Sequence, residues 1–357
     1  MQLRRAPDLP TRGISGLILN AVSKQFKGSS APALNNVSLT VAPGDTVAIF
    51  GESGSGKTTL LRIIAGFEQL DCGEVILGEL RVADKGHYLP PEARGVGVVF
   101  QDTALLPHLT IRQNIAFGLH RLTESARRNR VDAIIDSVQI TDAQNRFPHQ
   151  VSGGQAQRAA IARALAPQPR ILLLDEPFNN LDGPLKAQLI DQLRTVLSER
   201  KTTTIFVTHD RDEAFSIADR IAVLRSGFLQ QEGTPEEIYW QPNNHFVAGL
   251  LGKTNLIRVH QNGTEWISPL GPITTIQPLE VGGEYLASVR PSQIYLLNRP
   301  RGQATTRGIV VSERFLGELR ELRIKLPNEH ESLEITAHTS AVAKFSVGDH
   351  VYVSLTC

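Results

Sequence analysis

One short stretch restricts the fold more than any other. Thr46–Phe50, TVAIF, is an apolar, β-branched run that passes directly into Gly51-Glu52-Ser53-Gly54-Ser55-Gly56-Lys57-Thr58. A helical pattern follows over Lys57–Ala65, with Leu60, Leu61, Ile63 and Ile64 at helical spacing, and it stops at Gly66. The octapeptide fits G-x-x-x-x-G-K-[ST], and strand, glycine-rich loop and helix are the context that pattern needs. Glycines let backbone N–H groups turn inward around an anion, and the helix N-terminus adds its partial positive charge. Lys57 can then reach β- and γ-phosphates, and the Thr58 hydroxyl can ligate Mg²⁺.

The rest of the chain supplies a frame for this loop. From Leu17 to about Pro242, β-branched runs alternate with helical patterns, as an α/β domain with a mainly parallel sheet requires. Strands are predicted at Thr46–Phe50, Val96–Phe100, Ile171–Asp175, Thr203–Thr208 and Ile221–Leu224. ILLL, from Ile171 to Leu174, suits a strand buried on both faces. After Pro184, a first-turn proline, Leu185, Leu189, Leu193, Val196 and Leu197 give a helix its buried stripe. From about Gly252 the texture changes to short Val-, Ile-, Leu- and Thr-rich runs broken by turn residues, predicting a small β-barrel or sandwich. At 357 residues, two or three domains are expected. The predicted division is a loose polar leader over 1–16, an α/β domain over 17–242 and an all-β domain over 243–357.

Composition narrows the function classes. Hydrophobic residues make up 41% and charged residues 20%, an ordinary globular balance. Lys+Arg 37 against Asp+Glu 36 gives a net charge of +1, which weighs against a protein that holds nucleic acid by its own basic surface. Two cysteines, Cys72 and Cys357, exclude a disulfide framework and predict a cytosolic chain. No apolar run approaches the roughly 18 residues of a membrane span. The basic start lacks a signal peptide's apolar core.

Two further segments carry chemistry. Asp175 and Glu176 end the ILLL run, where acids are costly unless paired. Asp175 is placed to hold the Mg²⁺ that Thr58 also binds, and Glu176 could polarise an attacking water as general base. Capping of the next turn is the other use open to both acids. Val151-Ser152-Gly153-Gly154-Gln155 precedes a helical pattern over Ala156–Ala166. Ser152 is a good N-cap, and its hydroxyl with the Gly153 and Gly154 amides makes a second anion-binding helix start. The segment is either a plain helix cap or a site offered to the nucleotide of a second, head-to-tail copy.

With these motifs in place the chain clearly resembles the ATP-binding subunits of ABC transporters over about Leu17–Leu251, and further through the C-terminal domain. GESGSGKT and ILLLDE stand for the family's Walker A and B motifs, and VSGGQ for its LSGGQ signature, with Val151 in place of Leu. The resemblance implies an α/β P-loop NTPase, an ABC ATPase with a helical subdomain, followed by a small all-β OB-like (TOBE-type) domain. It implies that Gln101, after VGVVF, is the Q-loop glutamine, a Mg²⁺ and water ligand. His209, ending TTIFVTH, is then the switch histidine, and Phe26 the aromatic that stacks on adenine, although an aromatic near an N-terminal turn is usually core. Nucleotide contacts are implied for Gly51, Glu52, Ser53, Gly54, Ser55, Gly56, Lys57, Thr58, Thr59, Ser152, Gly153, Gly154, Gln155 and Asp182. Catalytic roles fall to Glu176, His209 and Gln101, and Mg²⁺ ligation to Thr58, Gln101 and Asp175. Asn179-Asn180-Leu181-Asp182 occupies the D-loop, where relatives commonly carry Ser-Ala-Leu-Asp.

The implied cofactors are ATP and Mg²⁺. The implied partners are a second copy of the chain, transmembrane permease subunits and, indirectly, an external solute-binding protein, with no nucleic acid. The expected place is the cytoplasmic face of the bacterial inner membrane, as a peripheral protein. SVRPSQIYLL and the strands after it look like the domain appended to importer ATPases for ferric ions, polyamines, sulfate, molybdate and sugars; whether it senses a ligand or only stabilises the dimer stays open. AGFEQLDCGEV, LPPEARGVGVVFQDTALLPHLTIRQNIAFGL and FPHQVSGGQAQRAAIARALAPQP most resemble the ferric-ion importers. A soluble ABC ATPase of DNA repair or translation is the rival class. Such proteins usually have two cassettes or a long coiled coil, and this chain shows neither.

Overall fold

The structure is a computed structural model that describes residues 16–179, 183–273, 278–299, 306–327 and 333–355. Its contacts divide the chain into two compact units, with the break between Pro235 and Glu236.

The first unit holds two sheets. One is antiparallel, ordered β2-β1-β4-β5, from β1 (Leu17–Lys24), β2 (Leu34–Val41), β4 (Cys72–Leu77) and β5 (Leu80–Ala83). The other, ordered β10-β9-β3-β8-β7-β6, contains β3 (Thr46–Phe50), β6 (Val96–Val99), β7 (Ile171–Asp175), β8 (Thr203–Thr208), β9 (Arg220–Arg225) and β10 (Phe228–Gly233). It is parallel except for β10, which pairs with β9 as a hairpin. Every residue of β3, β7 and β8 is buried, as central parallel strands covered on both faces require.

Helix α1 (Lys57–Ala65) shares one core with both sheets. Leu60, Leu61, Ile63 and Ile64 pack with Leu19 and Leu39 of the antiparallel sheet and with Ile49, Leu173 and Ile205 of the parallel one. Its last carbonyls are met by a buried guanidinium, Arg94, whose Nη1 donates to Ile63 O at 2.6 Å and Ile64 O at 3.0 Å. A cation at a helix C-terminus satisfies orphan carbonyls and opposes the helix dipole. Between β6 and β7 lie α2 (Ile111–Ala116), α3 (Glu124–Ser137) and α4 (Gly153–Leu165), the helical subdomain. Buried Asn114 ties α2 to the preceding loop, accepting from Leu106 N and donating to Leu106 O and Leu109 O. Helices α5 (Gly183–Arg200) and α6 (Arg211–Ile217) complete this unit.

The second unit opens with α7 (Pro235–Trp240) and α8 (His245–Leu250). Two antiparallel five-stranded sheets follow. The first, ordered β13-β12-β11-β15-β14, comprises β11 (Asn255–Asn262), β12 (Glu265–Ser268), β13 (Gly271–Ile273), β14 (Leu279–Val281) and β15 (Glu284–Val289). The second, ordered β16-β20-β17-β18-β19, comprises β16 (Ile294–Leu297), β17 (Thr306–Phe315), β18 (Leu319–Leu326), β19 (Leu333–Ser340) and β20 (His350–Leu355). Alternate residues of the two sheets, among them Ile257, Val289, Leu322, Ile324 and Val353, form one core.

The contact break before Glu236 falls a few residues ahead of the expected boundary at 242/243, and buried Arg290 ties the intervening segment to the strands that follow. Its Nη2 donates to Tyr239 O at 2.9 Å and its Nη1 to Ala248 O at 2.8 Å and Gly252 O at 3.0 Å. Its guanidinium also lies over the Tyr239 ring, 4.1 Å from the centroid. The short helices thereby belong to the β-rich unit. No helix among the described residues is long and apolar enough to cross a membrane.

Candidate active site

Parallel strands deliver the candidate residues to one edge of the sheet. The phosphate loop leaves the C-terminal end of β3, Asp175 and Glu176 end β7, His209 follows β8, and Gln101 lies just past β6. The order β3-β8-β7-β6 makes these four strand ends neighbours. A crevice at the carboxyl ends of such strands is where α/β sheets bind ligands.

Loop geometry depends on glycine at two points. Gly56 has φ +105°, and a Cβ there would lie 2.3 Å from Ala33 O; at Gly51 it would lie 2.3 Å from Leu224 O. The loop is therefore pressed against the β1–β2 hairpin on one side and β9 on the other. Lys57 is buried, its Nζ donating to Gly51 O at 2.8 Å and Glu52 O at 2.9 Å. Burial pushes its ammonium below the usual lysine value, and the nearby Glu176 and Asp175 carboxylates partly offset this. Ser55 Oγ, packed beside Gly51, is buried without a hydrogen-bond partner among the described residues.

Thr58 Oγ1 donates to Asp175 Oδ1 at 3.4 Å. Burial, then the adjacent Glu176, raise the Asp175 carboxyl above its usual range. Hard hydroxyl and carboxylate oxygens are the donors Mg²⁺ prefers, with phosphates and waters supplying the rest of its shell. The described residues hold no cluster of three or more His, Cys, Asp or Glu suited to a metal. The residues present thus fit a phosphate-bound Mg²⁺ rather than an all-protein cage.

Glu176 adopts φ +47°, a left-handed conformation that a non-glycine residue rarely takes. Its amide donates to Val207 O at 3.1 Å across to β8. The carboxylate is engaged at both oxygens: His209 Nδ1 lies 3.3 Å from Oε1, and Asn179 Nδ2 donates to Oε2. With the proton on Nδ1, the histidine donates to Glu176 and presents Nε2 outward as an acceptor.

Behind His209 is a cluster the sequence reading missed. Lys186 on α5 donates to Asp210 Oδ2 at 2.5 Å and Glu213 Oε1 at 2.6 Å. Thr208 Oγ1 donates to Glu213, while Asp210 N donates to Thr208 Oγ1 at 3.0 Å. Asp210 also caps α6, accepting from Asp212 N and Glu213 N. The D-x-x-E-like spacing of an N-cap after TTIFVTH was the available signal. Its lysine partner lies 24 residues upstream and had none.

The signature segment forms a capping box: Ser152 Oγ accepts from Gln155 N at 3.3 Å and Gln155 Oε1 from Ser152 N at 3.1 Å. Among the described residues no hydrogen bond links 151–155 to the phosphate loop, so within one chain the segment serves as a cap. Gly154 packs where a Cβ would come within 3.0 Å of Leu185, at the start of α5. Phe26 is 43% exposed, which removes the core reading, and Lys24 Nζ sits 5.4 Å from its ring centroid. Gln101 is exposed. The segment just past it is tied to α4, because Arg163 donates to Ala104 O at 2.7 Å and Thr103 O at 3.3 Å. Asn180, Leu181 and Asp182 lie outside the described residues.

Comparison with known proteins gives the family. Residues 34–179 match the ABC transporter family and residues 287–356 the TOBE domain. A ferric-ion import ATP-binding protein of Pectobacterium atrosepticum is 39% identical, over 95% of this chain and 97% of its own length. A sulfate/thiosulfate import ATP-binding protein of Brucella melitensis is 39% identical over 88% of this chain and 87% of its own. A spermidine/putrescine import ATP-binding protein of Pseudomonas fluorescens is 44% identical over 78% and 76%. Among solved structures, a dimeric ATP-binding cassette in a post-hydrolysis state with ADP and Pi superposes with a TM-score of 0.55 at 32% identity, covering 61% of this chain and 98% of that one. A P-loop beside a strand-end acid pair and a histidine, followed by a TOBE domain, therefore places the chain in the ABC transporter family, as an import-type ATP-binding subunit.

Proposed function

We propose that this chain is the ATP-hydrolysing subunit that energises a binding-protein-dependent importer of ferric ions. The observation that carries hydrolysis is Glu176, a carboxylate at the end of a buried strand that is oriented by His209 and Asn179 beside the phosphate loop. Lys57, Thr58, the loop amides and orphan Ser55 Oγ bind the phosphates, and Phe26 stacks on the base. Mg²⁺, held by Thr58, Asp175 and Gln101, neutralises phosphate charge when bound. Glu176 takes the proton of the attacking water, and His209 lies against the γ-phosphate, to which it donates when Nε2 carries a proton.

Ser152–Gln155 of a second copy completes each site, so nucleotide binding is tied to closure of a head-to-tail homodimer and phosphate loss reopens it. The relative whose structure superposes is itself dimeric with ADP and Pi, which supports this reading. Asp182 is assigned to the same subunit contact.

Permease subunits dock on the region from Gln101 through Leu119. A groove of about 430 Å³ there is lined by Leu109, Arg112, Phe117, His120 and Arg127, and Phe117 is 62% exposed. The chain would thus act as a peripheral protein on the cytoplasmic face of the bacterial inner membrane, with no nucleic-acid partner.

Ferric ion is preferred on the likeness of the segments around β4, β6 and α4, and the ferric-ion relative matches nearly the whole chain. A second reading, polyamine import, is favoured by the 44% identity of the spermidine/putrescine relative. The test is labelled ferric-ion uptake by cells carrying the wild-type chain or Glu176→Gln, with polyamine and sulfate uptake in parallel. Selective loss of iron uptake is expected. Loss of another solute alone would keep the mechanism and replace the substrate, and no change in any uptake would overturn the transport reading.

A further inference from the structure

Residue 179, just past the acid pair, is an asparagine, and the structure shows what its side chain reaches. The turn after β7 is closed by Asn179 N donating to Glu176 O at 3.2 Å, which folds residue 179 back over residue 176. From there Nδ2 donates to Glu176 Oε2, on the opposite side of the carboxylate from His209 Nδ1. Three restraints therefore meet on one residue: the backbone bond to Val207 O, the imidazole on one oxygen and the amide on the other. A carboxylate has about four lone-pair directions, so two bonds leave acceptor capacity for a water while removing rotation about the last side-chain torsion.

We propose that Asn179 is a positioning residue of hydrolysis in this protein, holding the Glu176 carboxylate through an amide hydrogen bond to Oε2 so that its remaining lone pairs face the attacking water. The inference rests on Glu176 acting as the general base. Asn179 itself touches neither the phosphate loop nor Asp175 by any hydrogen bond among the described residues. Its loss should therefore appear in kcat and not in nucleotide affinity.

Two replacements separate donation from mere volume. Asn179→Leu keeps the approximate size without a donor. Asn179→Asp keeps the shape but turns a carboxylate toward Glu176. Steady-state ATP hydrolysis by the purified full-length chain should fall about tenfold in kcat for Asn179→Leu, the scale of a base held off its line, with KM for ATP within about twofold. Asn179→Asp should lose at least as much, whereas a space-filling residue would tolerate that change best. On a Glu176→Gln background, Asn179→Leu should cause no further loss of the residual rate.

Wild-type kcat in Asn179→Leu and Asn179→Asp, or the same fold-loss in both backgrounds, would overturn the proposal. So would a raised KM with kcat unchanged. Wild-type hydrolysis by Glu176→Gln alone would instead show that Glu176 is not the base, a failure distinguishable from that of Asn179.

Discussion

At the scale of single residues, the site is built from groups whose environment sets their charge. Lys57 is the clearest. An ammonium desolvated by burial and bonded to two loop carbonyls, 2.8 and 2.9 Å away, would on the proposed reading exchange these partners for phosphate oxygens at little cost in reorganisation. Lys57→Ala is therefore expected to weaken ATP binding by about 2 kcal/mol or more, the scale of a charge-assisted bond lost from a buried site. Titration calorimetry with ATP measures this directly, and unchanged affinity would show that the lysine serves only the loop. The proposed general base behaves differently. Glu176 is held in a left-handed conformation by what surrounds it, so its role is written in its backbone as much as in its side chain.

At the scale of elements, α5 and α6 fix the strand end that carries His209. Lys186 bridges them, and Glu213 is only 2% exposed, so removing the lysine strands a buried carboxylate. Burial opposes both charges, yet the mutual hydrogen bonds win: Lys186 is raised above its ordinary value and Asp210 held below its own. The Asp210 contribution is present above the ordinary carboxylate range and lost as pH falls through its lowered folded value. The Lys186 contribution is present below the ordinary lysine value and lost as pH rises through its raised one. Lys186→Met should cost about 2 kcal/mol, less than a fully buried pair because Asp210 is a third exposed. Urea titrations should find that deficit constant from about pH 5 to pH 9 and shrinking below about pH 4. A deficit that grows on acidification would refute the assignment.

Legibility in the sequence also divides by element. TVAIF, ILLLD and TTIFVT gave strand bounds that hold to the residue, because buried parallel strands are continuous apolar runs. VGVVF lost Phe100, which is 38% exposed beyond the sheet edge. The antiparallel sheet of β1, β2, β4 and β5 was not anticipated. Asn20, Asn35, Asn36 and a register shift near Ala21, which has φ +51°, break the alternation on which such strands are read. At the site, residues inside the motifs were legible, whereas Lys186 and the Asn179–Glu176 bond depend on chain returns that no spacing announces.

At the scale of the whole molecule, the two units are held by different means. The first rests on a core around α1 and the second on paired sheets with one cation at their helical entrance. Arg290→Met would leave the carbonyls of Tyr239, Ala248 and Gly252 without their donor, and about 3 kcal/mol of destabilisation is expected. Differential scanning calorimetry should show one transition lowered and the other nearly unmoved; a common shift of both would mean that the units unfold together.

The order of strands in the parallel sheet has a consequence for biosynthesis. β8 lies between β3 and β7, although both are made before it. A nascent chain that has emerged as far as Asp175 already contains the phosphate loop and the acid pair, but their strands cannot yet be joined. Each keeps an open edge reserved for a segment still on the ribosome, and open edges invite wrong pairing. The sheet can therefore close around the phosphate loop only once Thr203–Thr208 has been made, and β3 gains its other neighbour, β9, later still.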